Sequence, residues 1–303
     1  MKRVGTRLRR MLYAGFLAVA AVAAFAWREP LVAVWRTQAT TLFEAVVLMA
    51  LALVIQTRNF LSFLDSRHDV DLWPLCRVWA VTALFNYLGP FQPGVALRAA
   101  YLAGHGVRWR DSLLATWRQL CVSVWISLGG AGLGLAVIGD GRLRVLGLVL
   151  GAGFVALPMA RTVLIRILHA IRRPALLVSR RELLIDALSG VDISGVLGVV
   201  VQYAVGTLLL WIVYRGFGAD IGFAHALVLA CMVYVSSLVA VLPGNLGILD
   251  SIYVFGGQGA GLTLAQSAAL AVLLRCAQII SCILVALAGP PISLKGSVTD
   301  AAE

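Results

Sequence analysis

Carboxylates are scarce in this chain. Its 303 residues hold only 14 Asp and Glu together, and charged residues of either sign make up 13%, about half the ~25% of a soluble globular protein. So thin a polar coat cannot cover a chain that is 61% hydrophobic, against a usual share of roughly 45–50%. A soluble enzyme, a disordered hub and a disulfide scaffold are excluded. Histidine is rare too: His68, His105, His169 and His225 are scattered, so no metal centre is expected. The five cysteines, Cys76, Cys121, Cys231, Cys276 and Cys282, fall in apolar runs without a CxxC and read as small packing residues. No Walker sequence and no supported Ser/His/Asp set occurs, so neither an enzyme, a cofactor nor an ATP-driven pump is expected. The Gly-rich stretch 129–134 follows no strand; with Gly147 and Gly151 it reads as close helix packing.

What is present is apolar length and arginine. Mean hydropathy is +0.93 and the net charge +11. Arg-rich loops that stay in the cytoplasm explain that excess better than a nucleic-acid surface. The expected fold is an all-α polytopic membrane protein with about eight transmembrane helices plus two broken, re-entrant half-helices in an inverted repeat. Spans are predicted over 11–27, 41–57, 72–89, 112–138, 143–160, 195–214, 223–242 and 264–288. The first follows Lys2, Arg3, Arg7, Arg9 and Arg10 and reads as an uncleaved signal anchor with a cytoplasmic N-terminus. The whole of 1–303 is one membrane domain. It divides into the anchor and a short loop (1–40), a first half (41–160), a basic amphipathic cytoplasmic loop (161–194) and a second half (195–290). The loop carries Arg161, Arg166, Arg172, Arg173, Arg180 and Arg181, and its first part is expected to lie along the membrane surface.

Two shorter apolar pieces, 92–104 and 246–255, each follow a Pro/Gly cluster. Proline removes a backbone donor, so a broken or re-entrant helix is the natural reading of each. The clusters superpose, Pro90 on Pro243 and Gly94 on Gly247. Allowing for the extra 256–259, Arg118 then falls on Arg275. The repeat blocks are 72–138 and 223–288. Keeping the arginine-rich loop inside requires the two blocks to run in opposite senses, the arrangement in which transporters place a site near mid-membrane.

Charges within spans are expensive and default to function. Arg98, Arg118, Arg275 and Asp250 form the core of the predicted site, with Asn86, Gln92 and Asn245 beside them and Pro90, Pro93, Gly94, Pro243, Gly244 and Gly247 as hinges or gates. Asp250 paired with one arginine would tie the repeats together; the remaining guanidinium needs an anion, and in a membrane a phosphate suits its forked donors. Arg77 near a span end reads as snorkelling. Glu44, a turn into its span, fits an interfacial or an intramembrane position equally.

The blocks 86–99 with 115–120, and 242–250 with Leu274-Arg275, resemble those of the flippase-like membrane domain of lysylphosphatidylglycerol synthases. The likeness spans about residues 40–290. That family includes stand-alone membrane proteins and a hopanoid-associated branch. Two departures stand out. The acid expected after the first-block glycine is Val95 here, and the acids expected around the later arginine are Trp117 and Cys121. Both weaken any transfer of a cationic head group. The chain ends about fifteen residues past its last span, so the resemblance implies lipid translocation in an inner membrane without lipid synthesis. Membrane lipids are the expected partners. The alternatives are a non-catalytic partner of a glycosyltransferase or lipid-modifying enzyme, and an ion-coupled solute transporter using Glu44 and Asp250.

Overall fold

The computed structural model describes residues 28–64, 70–86, 93–170, 192–236 and 247–288. Nine helices and no strand occur among them: α1 (Arg28–Phe63), α2 (Leu72–Phe85), α3 (Pro93–Ala103), α4 (Trp109–Ile138), α5 (Gly141–Ala170), α6 (Ile193–Gly216), α7 (Phe223–Ser236), α8 (Ile248–Gly259) and α9 (Leu264–Leu287). The all-α polytopic expectation holds. Five stretches, Gln38–Phe63, α4, Gly141–Ala160, α6 and α9, are long and apolar enough to cross a bilayer. Gln38, with non-helical φ −135° and ψ 32°, kinks α1 and accepts a hydrogen bond from the Thr41 hydroxyl at 3.1 Å. The anchor segment 11–27 lies outside the described residues.

Both Pro/Gly clusters border short helices. α2 and α7 have 14 residues each, roughly 21 Å of rise against a hydrocarbon core of about 30 Å. Each is followed by a half-helix, α3 of 11 residues and α8 of 12. Pro93 opens α3, where its missing N–H costs nothing. One expectation changes: residues 161–170 continue α5 past Pro158 instead of starting a separate surface helix.

α1 and α6 run antiparallel through the middle. Thr41 abuts Gly216 at one end, and Phe63 abuts Gly195 at the other. Around this pair the blocks interlock reciprocally, α4 packing on α7 and α9 on α2. α2 begins and α3 ends at the Phe63 end, where Leu75, Leu102 and Val107 share a core with Phe60 and Phe63. α7 begins and α8 ends at the other end, where Ile221 and Leu262 share one with Leu42 and Tyr214. The two broken hairpins therefore enter from opposite faces, as an inverted repeat requires. α5 is the outermost helix. Gly132 of α4 packs so closely on Gly147 and Gly151 that a Cβ there would lie 2.8 Å from the Gly151 amide nitrogen. The same seam stacks Trp125 on Phe154 at 4.8 Å. Helix packing, as read from the sequence, accounts for these glycines.

Candidate functional site

A cavity of about 410 Å³ opens between the helices and joins a smaller chamber of about 120 Å³. Gln56, Trp79, Arg98, Leu120, Gln202 and Tyr234 line both. Every described helix except α5 contributes to the walls. Its polar pole lies about two turns from the Phe63 end of α1, where Gln56 sits. Met49, Leu53, Leu209, Leu210 and Leu249 make an apolar pole.

Arg98 is delivered to this cavity by α3. Gly94 lies against the Thr82 backbone carbonyl, and a side chain there would collide with it. The Gly94 amide donates to the Asn86 side-chain oxygen at 2.8 Å, so the last residue after α2 caps the start of α3. One turn on, the Arg98 guanidinium carbon lies 3.9 Å from the centroid of the Trp79 ring. Among the described residues, no carboxylate or carbonyl takes a hydrogen bond from it. Trp79 in turn packs on Phe60, with centroids 5.0 Å apart.

Amides and hydroxyls complete the polar pole. Asn59 donates to the Gln202 side-chain oxygen at 3.0 Å, and Gln119 to the Gln56 carbonyl at 3.3 Å. The Tyr234 hydroxyl donates to the Gln202 carbonyl at 3.1 Å, and the Tyr203 hydroxyl to that of Ser123 at 2.8 Å. The two tyrosine rings stack 4.2 Å apart.

The other predicted charges are placed differently. Arg275, only 1% exposed, donates from Nε to Asp250 at 2.8 Å, and the second Asp250 oxygen accepts the Gly247 amide at 3.0 Å. That carboxylate thus caps α8 and ties it to α9. Gly247 has φ +85°, a conformation glycine adopts without the steric cost other residues meet. Arg118 donates to the Phe63 carbonyl at the end of α1 at 3.3 Å. Arg77 does more than snorkel: its Nε donates to the Ala286 carbonyl in the last turn of α9 at 3.0 Å. Glu44 is exposed. Arg98 and Asn86 thus line the cavity; Arg118, Asp250 and Arg275 lie outside its walls. Pro90, Gln92, Pro243, Gly244 and Asn245 lie outside the described residues.

Sequence reasoning passed over Trp79, Gln56, Gln202 and Tyr234. The available signal was Gln202, a single amide in the middle of an otherwise apolar span; Gln56 sits at the polar end of its own predicted span. Among the described residues no group of His, Cys, Asp or Glu could hold a metal ion.

An all-helical membrane protein with an inverted repeat around a central polar chamber is the class that fold and cavity define. Within that class, the chain belongs to the family described as the lysylphosphatidylglycerol synthase TM region, whose model matches residues 10–286. No curated protein and no solved structure matches it.

Proposed function

We propose that the protein is a lipid translocator of the inner membrane, moving an amphiphile with an anionic head group between leaflets without chemically altering it. The observation that carries this reading is Arg98: a guanidinium facing a central cavity, set on an aromatic ring, with no acid opposite it among the described residues. An uncompensated cation in a low-dielectric site favours an anion strongly, and its forked donors match a phosphate. The cavity lies within the ~300–1,000 Å³ range of small-ligand sites, enough for a head group, while the acyl chains stay in lipid. Membership in a membrane-domain family named for a lipid synthase supports a lipid as the ligand.

In this reading Arg98 and Asn86 form the head-group site. Arg118, Arg275 and Asp250 hold α1, α8 and α9 in register, and the hinges Gly94 and Gly247 set the half-helices. The face bearing Phe63 and Trp109 is cytoplasmic, since Arg108, Arg110 and the arginines after residue 160 follow it. The ion-coupled reading loses ground because Asp250 is engaged by Arg275 and Glu44 is exposed.

Leaflet-resolved flipping of a labelled anionic phospholipid, in liposomes containing only this chain, tests the proposal. Flipping well above protein-free liposomes is expected, with about a tenfold loss in Arg98→Gln. No flipping by folded protein would leave the scaffold reading in its place.

A further inference from the structure

The walls of the cavity say more about the head group than its sign. Apart from Arg98, the lining holds no Asp, Glu, Lys or His; the polar surface is amides and hydroxyls. An ammonium group donates only, so it needs a negative charge or open aromatic faces. Neither is at the polar pole. The Trp79 face is taken by Arg98, and the Tyr203 and Tyr234 rings cover one another.

A hydroxyl both donates and accepts, which is what side-chain amides also do. Gln202, 4% exposed, is satisfied at both ends, its oxygen accepting from Asn59 and its NH₂ donating to the Tyr234 hydroxyl. The Gln119 amide donates to the Gln56 carbonyl, leaving its own oxygen over. The Gln56 side chain, beside Arg98 in both chambers, is likewise without a hydrogen-bond partner among the described residues. Donors and acceptors left over in a buried wall are costly unless a ligand or water meets them.

Resting on the anion reading above, we infer that the head group is a phosphodiester of one negative charge whose remaining part is uncharged and hydroxyl-rich, such as a glycerol or sugar. Head groups that carry an amine, whether ethanolamine or an aminoacyl ester, are disfavoured. Arg98 takes the phosphate; Gln56 and Gln119 read the hydroxyls.

The test is competition binding to the full chain in nanodiscs, read by native mass spectrometry. The probes are four lipids with the same acyl chains: phosphatidylglycerol, phosphatidylmethanol, phosphatidylethanolamine and lysyl-phosphatidylglycerol. Phosphatidylglycerol should be retained about fivefold over phosphatidylmethanol, which has the charge without the hydroxyls, and at least tenfold over the two amine lipids. Arg98→Gln should weaken phosphatidylglycerol and phosphatidylmethanol alike, with Arg98→Lys restoring part of both. Gln56→Leu, which removes the amide where no hydrogen bond is lost, should bring phosphatidylglycerol down towards phosphatidylmethanol.

The two ideas fail separately. If Arg98→Gln and Arg98→Lys, both folded by thermal unfolding, leave all four lipids unchanged, the anion site is wrong. If Arg98→Gln weakens binding but the parent holds phosphatidylmethanol or lysyl-phosphatidylglycerol as well as phosphatidylglycerol, the anion site stands and the hydroxyl-rich assignment is overturned. A Gln56→Leu variant that still prefers phosphatidylglycerol to phosphatidylmethanol as strongly as the parent overturns it as well.

Discussion

The two repeats share a plan but differ in how each half-helix is held. In the second, Asp250 sits three residues past Gly247, caps α8 and binds the buried Arg275 of α9. In the first, the matching position three residues past Gly94 is Leu97, and the arginine matched to Arg275 is Arg118, which reaches the Phe63 carbonyl. A charge still appears on that half-helix, but it is Arg98, with its face on Trp79 and its donors towards the cavity. One copy holds its ion pair closed; the other leaves a cation open. In the reading proposed above, the acid present in one repeat makes a structural element and its absence from the other leaves a ligand site, and that difference can be attacked from either side.

The largest effect is expected on the closed side. Asp250→Ala would take the carboxylate from a guanidinium that is 1% exposed, and because Asp250 itself is 32% exposed the loss is that of a charge-assisted hydrogen bond, about 1.5–3 kcal/mol. Thermal unfolding in detergent should show this drop, and pairing it with Arg275→Met should recover most of it. A double variant as unstable as the single would mean that the pair is not what joins α8 to α9. Next comes Gly94→Ala, whose Cβ meets the backbone carbonyl of Thr82 and which should destabilise by roughly 1–3 kcal/mol. Gly153→Ala, where the nearest atom lies 4.0 Å away, serves as its control in the same measurement. On the open side, Arg98→Gln should change stability by less than about 1 kcal/mol, since no protein hydrogen bond among the described residues is lost. Arg118→Gln and Arg275→Gln should instead lower both stability and flipping, which separates positioning from binding. Smallest in energy is the topology test. On a background without exposed Cys121, single cysteines at Arg110 and at Gly141 should label from opposite sides, the first from the cytoplasm. Labelling of both from one side would undo the orientation.

Helix positions were largely legible in the sequence. The span predicted over 264–288 is α9 (Leu264–Leu287), and the piece predicted over 92–104 is α3 (Pro93–Ala103). Proline, glycine and charge mark such ends locally, and lipid enforces long apolar runs between them. Which face of each helix turns inward was not legible. In a bilayer the outside is as apolar as the core, so α5 and α9 read alike, with hydropathies of 1.9 and 2.4. Yet 6% of one window is buried and 56% of the other. The site suffered from the same blindness. Asn59 and Gln202 meet across 143 residues, and Trp79 comes under Arg98 only because α3 folds back on α2. The charged residues drew notice because charge is costly anywhere in a membrane, but cost alone does not tell a guanidinium that closes a helix end from one that waits for a ligand.

The glycine seam between α4 and α5 bears on the order of assembly. Its partners are close in the chain, Gly132 against Gly147 across a two-residue turn, so this hairpin can close as soon as α5 has left the ribosome. The chamber has no such shortcut. Its walls include Gln278, Ser281 and Cys282 of α9, the last described helix. A nascent chain therefore carries its outermost hairpin early and completes the walls of its cavity last.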